Sequence, residues 1–340
     1  MGVDLGAILE KEELSLNELS GNKVAVDAFN TLYQFLAIIR QRDGTPLMDS
    51  HGRITSHLSG LFYRTCNLLE KGIFPVFVFD GEPHPLKKAT IAERGARKLE
   101  AEESLRSARE EGREEDVRVF AQQTSKLGSE QVVESQKLLE LMGVPWVQAP
   151  SEGEAECAWL CKQGLVHAAA SQDYDALLFG TPVLLRNLTV AGRRKLPRRE
   201  VYVDVLPERI QLDSNLKRLG LSHHKLVWLA LLIGTDFNPG VHGIGPKKGL
   251  KLVQENDSIE AILKKLEVGM DWKTLEGIFL KPHSREVTKK ELEFKPVDRE
   301  GIIKFMVDEH DFTLERVTST LERAFKAPAD TQQSSLKKWF

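Results

Sequence analysis

Apolar positions along this chain follow two rhythms. Around Lys23-Val24-Ala25-Val26, and again over Phe74-Pro75-Val76-Phe77-Val78-Phe79, they run almost without interruption, and each run stops at an aspartate, Asp27 and Asp80. An unbroken apolar run of this length predicts a strand covered on both faces, as in a parallel sheet. Over Phe29–Ile39 and Ser56–Glu70 the apolar residues recur every three or four positions, which predicts two helices. Strand, helix and strand in that order make a crossover unit. The fold class is therefore α/β, with a central, mostly parallel, twisted sheet flanked by helices.

The pattern then changes. From Lys87 to Arg118 charges of both signs dominate and Leu is sparse. A solvated helix braced by i, i+4 ion pairs accounts for this, and so does a mobile charged arch that orders on a partner. Regular alternation returns with a helix over Ser129–Met142 and a short strand over Gly143–Val147, and the next helix begins at Ser151. Val166–Ala170, Val183–Leu185 and Glu200–Val203 read as strands, the last two bracketing the basic runs Arg193-Arg194-Lys195 and Arg198-Arg199. Lys225–Ile233 is an apolar helix ending at Gly234-Thr235-Asp236. Beyond Ala261 the chain reads as helices broken at Pro282 and Pro296.

Composition narrows the class. Hydrophobic residues make up 41% and charged residues 29% of the 340, the balance of a globular chain with a sizeable core. The net charge of −3 does not mark a nucleic-acid binder, but a cluster of carboxylates can mask a basic surface in the sum. Cys66, Cys157 and Cys161 are odd in number and show no paired CxxC spacing, which argues against a disulfide framework or structural zinc and for ordinary core positions. With no signal-peptide pattern at Met1-Gly2-Val3-Asp4 and no run of ~18 apolar residues, an intracellular, cytoplasmic protein without a targeting signal or membrane contact is expected.

Candidate chemistry lies in the acidic residues at element ends. Asp27 and Asp80 close two parallel strands, and ligands of such sheets bind in the crevice beyond the strands' carboxyl ends. Glu152 and Glu154 stand at a helix start, Asp173 and Asp175 follow a strand, and Asp236 follows a helix. Each has a plainer reading: Asp27 or Asp173 as a helix cap, and Ser151-Glu152-Gly153-Glu154 as a capping box with Ser151 the cap. Carboxylates gathered in one crevice repel one another, and protonation or a bound cation relieves this. With no His or Cys at metal spacing, the donors are all oxygen, which selects Mg²⁺ or Mn²⁺ over zinc. Two such ions about 3.5–4 Å apart are the usual device for phosphodiester hydrolysis. Further on, Gly243-Ile244-Gly245-Pro246-Lys247-Lys248 places glycines, exposed amides and two lysines at a helix start. That arrangement suits a DNA backbone read without regard to sequence.

At this point the chain resembles the flap endonuclease family in its short archaeal form. The resemblance rests on Val26-Asp27-Ala28, Val78-Phe79-Asp80-Gly81, Ala149-Pro150-Ser151-Glu152-Gly153-Glu154-Ala155, Ser171-Gln172-Asp173-Tyr174-Asp175, Gly234-Thr235-Asp236 and Gly243-Ile244-Gly245-Pro246-Lys247, in the family's order over nearly the whole chain. It implies a PIN-like 5′ nuclease fold with a charged helical arch and a helix–two-turn–helix DNA-binding element. The implied activity is that of a 5′-flap endonuclease and 5′→3′ exonuclease of lagging-strand maturation and base excision repair. Two Mg²⁺, with Mn²⁺ able to substitute, would be held by Asp27, Asp80, Glu152, Glu154, Asp173, Asp175 and Asp236. Lys87 and Arg94, seven apart and so on one helix face, match the basic gateway residues that act on the scissile phosphate. Tyr33 matches an aromatic that stacks on a base at the duplex end, with core packing as its plainer reading. Arg40 and Arg64 fall near the substrate. Glu152, Gly234, Asp236, Gly243, Gly245, Lys247 and Lys248 would contribute to DNA binding, and the hairpin would carry a monovalent cation. One departure is Gly249, where the family usually has Ala, at a cost of ~1 kcal/mol inside a helix.

The resemblance divides the chain into an N-terminal nuclease region (1–99), a charged arch or linker (100–128), an internal nuclease region with the helix–two-turn–helix (129–258), a C-terminal helical region (259–328) and a tail (330–340). The tail ends Gln333-Ser334-Ser335-Leu336-Lys337-Lys338-Trp339-Phe340, and an exposed Trp-Phe end calls for a partner or for packing on the chain's own body. It looks like the interaction box for the replicative sliding clamp (PCNA), with Gln333, Leu336, Trp339 and Phe340 as the anchors. The expected partners are thus branched DNA with a 5′ flap and the clamp, for a monomeric enzyme. Two other readings remain at this point. A non-catalytic clamp-bound adaptor for branched DNA would need no carboxylate cluster. A sibling repair nuclease of bubbles or DNA ends would carry a long insertion or extension.

Overall fold

The computed structural model describes residues 2–41, 43–190, 192–195 and 202–325. Clamp-tail residues Gln333, Leu336, Trp339 and Phe340, and Arg198-Arg199 of the basic run, lie outside the described residues.

The sheet has seven strands: β1 (Glu12–Glu13), β2 (Lys23–Asp27), β3 (Phe74–Phe79), β4 (Trp146–Gln148), β5 (Ala168–Ala170), β6 (Val183–Arg186) and β9 (Glu208–Gln211). Their order is β1-β9-β6-β5-β2-β3-β4. Strands β6, β5, β2, β3 and β4 run parallel, while β9 joins β6, and β1 joins β9, in antiparallel fashion. A separate hairpin pairs β7 (Gly192–Lys195) with β8 (Tyr202–Val205). The mostly parallel sheet expected from the apolar runs is present. The antiparallel edge was not anticipated, since β1 is two residues long and both are charged, as suits a protected edge.

Helices cover both faces, and the period-2 alternation of the strands decides which residue meets which layer. Val24, Val26, Phe77 and Phe79 pack with Leu32 and Phe35 of α1 (Ala28–Ile38), Leu58 and Phe62 of α2 (Ser56–Glu70), and, after the long helices α3 (Lys88–Glu110) and α4 (Glu114–Gln123), Leu138 of α5 (Ser129–Leu141). Their neighbours Ala25, Val76 and Val78 face Cys157 and Leu160 of α6 (Gly153–Lys162). Beyond α7 (Asp175–Leu178) and α8 (Leu212–Leu219), the helices α9 (His223–Ile233), α10 (Pro246–Glu255), α11 (Ile259–Lys265) and α12 (Trp272–Leu280) share a further core. The chain then closes through α13 (Arg299–Ile303) and α14 (Leu314–Ala324) onto α2. All three cysteines are buried and free. No helix among the described residues is long and apolar enough to cross a membrane.

The charged stretch forms the helix pair α3–α4, turning at Gly112 with φ +68°, a value favoured by glycine. A narrow seam of Ala101, Ala108, Val117 and Ala121 is buried, while Leu99 and Ile91 are exposed. Several boundaries differ from expectation by a residue or two, and two of the differences have a visible cause. The strand after α5 starts at Trp146, because Gly143 (φ +68°) ends the preceding helix and Pro145 intervenes. The capping box at Ser151 does not form. Helix α6 begins at Gly153 with Glu152 in the capping position and no side-chain cap, while Ser151 Oγ donates to the Glu82 carbonyl instead.

Candidate active site

Asp27 ends β2 and caps α1, one carboxylate oxygen accepting from Asn30 N at 3.0 Å and the other from Ser171 Oγ at 3.4 Å. The capping role and a place in the crevice are therefore compatible. Asp80 follows the adjacent strand and accepts from the Gly153 amide at 2.7 Å. A Cβ on Gly153 would stand 2.6 Å from that carboxylate, so glycine is what lets α6 approach so closely. The same helix start brings in Glu152 and Glu154, and Glu154 accepts from Ser171 Oγ at 2.9 Å. The turn after β5 supplies Asp173, which accepts from Asn30 Nδ2 at 3.0 Å, and Asp175, which accepts from the Val3 amide at 2.6 Å. Asp236, in the loop after α9, joins from the far side through α3. Arg94 reaches its carboxylate at 2.5 Å, and Thr90 Oγ1 donates to its carbonyl at 2.8 Å.

Electrostatics make this a strained gathering. Burial, then the neighbouring Asp80, pushes the Asp27 carboxyl up to about 8. Burial raises Asp80 to about 6 and Asp175 to about 7, with Glu152 adding to the first and Asp236 and Asp173 to the second. Glu154 is held well above its ordinary value by burial and by Asp175, Asp173 and Asp27. Such mutual repulsion is what a bound cation relieves. The chain's own cations serve part of the cluster: Lys87 Nζ lies 2.5 Å from Glu152 and 3.5 Å from Asp236. Burial opposes its charge, but Glu152 and Asp236 keep the ammonium protonated. As the side chains stand, no three His, Cys, Asp or Glu residues among the described ones converge on a point that would hold a metal ion. The donor set nevertheless fits a hard divalent cation, because it is all carboxylate and too crowded to ionise fully alone.

The remaining expected residues divide. Tyr33 is 45% exposed on α1, so its ring is not a core residue. Arg64 lies on the outer face of α2. Arg40 donates to the carbonyls of Leu36 and Gly44 and to Ser125 Oγ, which ties α1 to the end of α4. Gly234 (φ +114°) and Gly243 (φ +73°) bend the loop between α9 and α10, and Asn238 pins it through Leu231 O and Thr235 Oγ1. Gly245 then caps α10, with Pro246, Lys247 and Lys248 in its first turn. Gly249 marks close packing: a Cβ there would stand 2.6 Å from Leu229 Cδ1 of α9.

Several participants were not foreseen. Asn30 links Asp27 to Asp173, Ser171 links Asp27 to Glu154, and the Gly2 amide donates to Asp173 at 3.3 Å. The local signals were Asn30, three residues after Asp27, and Ser171 within a motif already noted, and neither announces its distant partners.

Two family models match stretches of the chain. The XPG N-terminal domain model matches residues 1–101 and the XPG I-region model residues 143–236. The flap endonuclease 1 of Pyrococcus furiosus is 51% identical over 342 residues, spanning 100% of this chain and 99% of that protein. That of Archaeoglobus fulgidus is also 51% identical over 342 residues, spanning 100% of each. Among solved structures, flap endonuclease-1 from Methanococcus jannaschii superposes with a TM-score of 0.76 at 37% identity, covering 95% of this chain and 98% of that one. The catalytic core of Rad2 in complex with DNA substrate gives 0.67 at 25% identity, with 94% and 97% covered. With half its sequence shared with such relatives end to end, the chain belongs to the flap endonuclease family.

Proposed function

We propose that this protein is a Mg²⁺-dependent, structure-specific nuclease that cuts 5′ flaps endonucleolytically and degrades DNA 5′→3′, in lagging-strand maturation and base excision repair. The observation that carries this reading is the gathering of Asp27 and Asp80 at two strand ends, Asp173 and Asp175 in the turn after a third, and Glu154 at the start of α6, in one crevice of a chain of this family. Two divalent ions would be held by these five with Glu152 and Asp236. Bound Mg²⁺ lowers the pKa of an attacking water and neutralises charge developing on the phosphate.

The chain's own residues do the rest. Lys87 and Arg94, seven apart along the start of α3, present cations on the rim of the carboxylates, where they orient the scissile phosphate and stabilise its added charge. Helices α3 and α4 act as the arch. The α9–α10 hairpin serves as the helix–two-turn–helix, its open amides, Lys247 and Lys248 holding backbone phosphates and so imposing no sequence preference. Its bent carbonyls supply oxygens for a monovalent cation. Tyr33 presents an exposed ring on which a terminal base stacks. Gln333, Leu336, Trp339 and Phe340 dock in the sliding clamp, which sets the enzyme at replication sites.

The direct test compares cleavage of single-flap, double-flap and bubble DNA by wild type and Asp80→Ala, with Mg²⁺ and with chelator. The reading expects flap cutting that needs Mg²⁺, and a variant that binds flaps without cutting them. Undiminished cleavage by Asp80→Ala would overturn the metal assignment.

A further inference from the structure

Arg285, on the stretch after α12, is tied to two elements that lead into the crevice. Its Nε donates to the Gln148 carbonyl, at the end of the edge strand β4, at 3.2 Å. Its backbone amide donates to Glu156 Oε2 on α6 at 3.1 Å, and Glu291 steadies the guanidinium at 2.8 Å. Glu156 is wholly buried, and its own amide donates to the Glu152 carbonyl at 3.3 Å, closing the first turn of the helix that brings in Glu152 and Glu154. Gln148 reaches towards the third carboxylate. Its Nε2 donates to the carbonyl of Phe79 at 3.3 Å and to that of Asp80. The pairing of β3 with β4 ends at Phe79 and Gln148, so this side chain holds a backbone carbonyl that the sheet no longer does.

We propose that Arg285, with Gln148 and Glu156, is a positioning brace for the metal-binding carboxylates, fixing the end of β3 and the start of α6 relative to one another. It thereby sets the spacing of Asp80 from Glu152 and Glu154. The inference rests on the metal reading above and adds residues to it. Near the crevice the two elements are joined by the Gly153 amide to Asp80 Oδ1 at 2.7 Å and by Gly81 N to Ser151 O at 2.6 Å. Arg285 adds a cross-tie from a third segment, which stiffens that joint. A small hard divalent ion tolerates little error in where its oxygens stand, so the stiffness is felt as affinity. The charge of Arg285 would act in the opposite sense. A cation beside an acidic site disfavours a divalent ion, so removing its field alone tightens metal binding. Removing a brace weakens it. The sign of the change separates the two.

Mn²⁺ uptake by the full-length protein without DNA is titrated by electron paramagnetic resonance of the free ion, for wild type, Arg285→Met and Gln148→Met. Methionine keeps an apolar stem but makes none of the side-chain bonds, and Arg285→Met retains the main-chain tie to Glu156. Partners that hold metal ligands directly are worth roughly 10–100-fold in affinity, and the brace acts one bond further out. Each variant is therefore expected to bind Mn²⁺ about tenfold more weakly. Single-turnover flap cleavage gives a second readout. The Mg²⁺ concentration for half-maximal rate is expected to rise by the same factor, while the rate at saturating Mg²⁺ stays within about twofold of wild type. Gln148 is exposed, so its variant keeps the test open if Arg285→Met does not fold. Unchanged or tighter Mn²⁺ binding in a folded variant, whatever its melting temperature, would reduce Arg285 to a strut of the sheet edge and overturn the inference. Wild-type protein that takes up no Mn²⁺ would instead sink the metal reading and the brace with it, a result distinct from equal uptake.

Discussion

Replacing Lys87 by methionine isolates the contribution of one charge. The side chain is 17% exposed, and its ammonium lies 2.5 Å from Glu152 and 3.5 Å from Asp236, over the face of Phe237. Methionine keeps most of the apolar length but removes the cation, and with it the ammonium's contact with the ring. If Lys87 stabilises charge that grows on the phosphate, its loss costs what a positioned oxyanion donor is worth, about 2.7–4 kcal/mol, or roughly 10²–10³ in single-turnover rate. Substrate binding falls much less, because one phosphate contact among many is lost. The comparison of Asp80→Ala with Asp80→Ala/Lys87→Met measures binding without cleavage. Stability moves in a second, separable way. Without metal, Glu152 and Asp236 lose a buried partner, and breaking such a pair costs up to about 3–5 kcal/mol, less here because the carboxylates keep 14% and 11% exposure. Added Mg²⁺ is expected to restore most of that loss in a thermal melt, since the divalent ion supplies the missing charge. A rate within about tenfold of wild type, or a binding loss as large as the rate loss, would refute the assigned role.

Three other perturbations test separate parts of the picture. Deleting 333–340 is expected to leave basal flap cleavage intact and abolish stimulation by the sliding clamp, and equal stimulation of the truncated protein would remove the tail from the contact. Glu134 bridges His57 Nε2 at 2.9 Å and His310 Nε2 at 3.1 Å. Burial works to raise its pKa but is outweighed by the two histidines, which hold it at about 2, while the same carboxylate, against the effect of burial, raises His310. A depressed carboxyl adds stability that is complete above its ordinary 4.5 and fades as pH falls towards 2, about 1–2 kcal/mol once screening by the solvent that reaches the bridge is allowed for. A raised histidine adds stability that is complete below its ordinary 6.5 and fades as pH rises through its folded value. Glu134→Gln is therefore expected to lower the melting temperature most between those limits and less at either side, and a pH-independent difference would show that the cluster is not a charge bridge. Gly249→Ala gains ~1 kcal/mol of helix propensity but forces the buried Leu229 tip, 2.6 Å from the new Cβ, to move. Overpacking costs about 1–3 kcal/mol, so the single change is expected to lower the melting temperature and a companion Leu229→Val to recover it. A higher melting temperature for Gly249→Ala alone would mean that α9 yields more easily than its packing suggests.

What could be read beforehand follows from where the information resides. Asp27 and Asp80 were legible because each terminates a run of buried strand residues, and parallel strands deliver their ends to one edge. Glu154 was legible as a position, but its capping-box explanation was wrong: Gly153, not Ser151, opens α6, and Glu154 turns to Ser171. That error has a physical cause. A capping box is judged from four consecutive residues, whereas Gly153 is required by its contact with Asp80, which is 73 residues away in sequence. The same limit hid Asn30, Ser171 and the Gly2 and Val3 amides, whose bonds to the carboxylates span up to 172 residues. It also hid the antiparallel edge, because β1 has only two charged residues to announce it. Arg40 has a structural role that no local pattern announces: three hydrogen bonds hold it as a brace between α1 and the end of α4. Local pattern thus located the groups whose positions are set by strand ends, and missed those whose roles are set by what the fold places opposite them. The second set orients the first. A chain that kept all seven carboxylates but lost Asn30 and Ser171 would keep every candidate ligand while its Asp27, Glu154 and Asp173 lost side-chain hydrogen bonds that aim them.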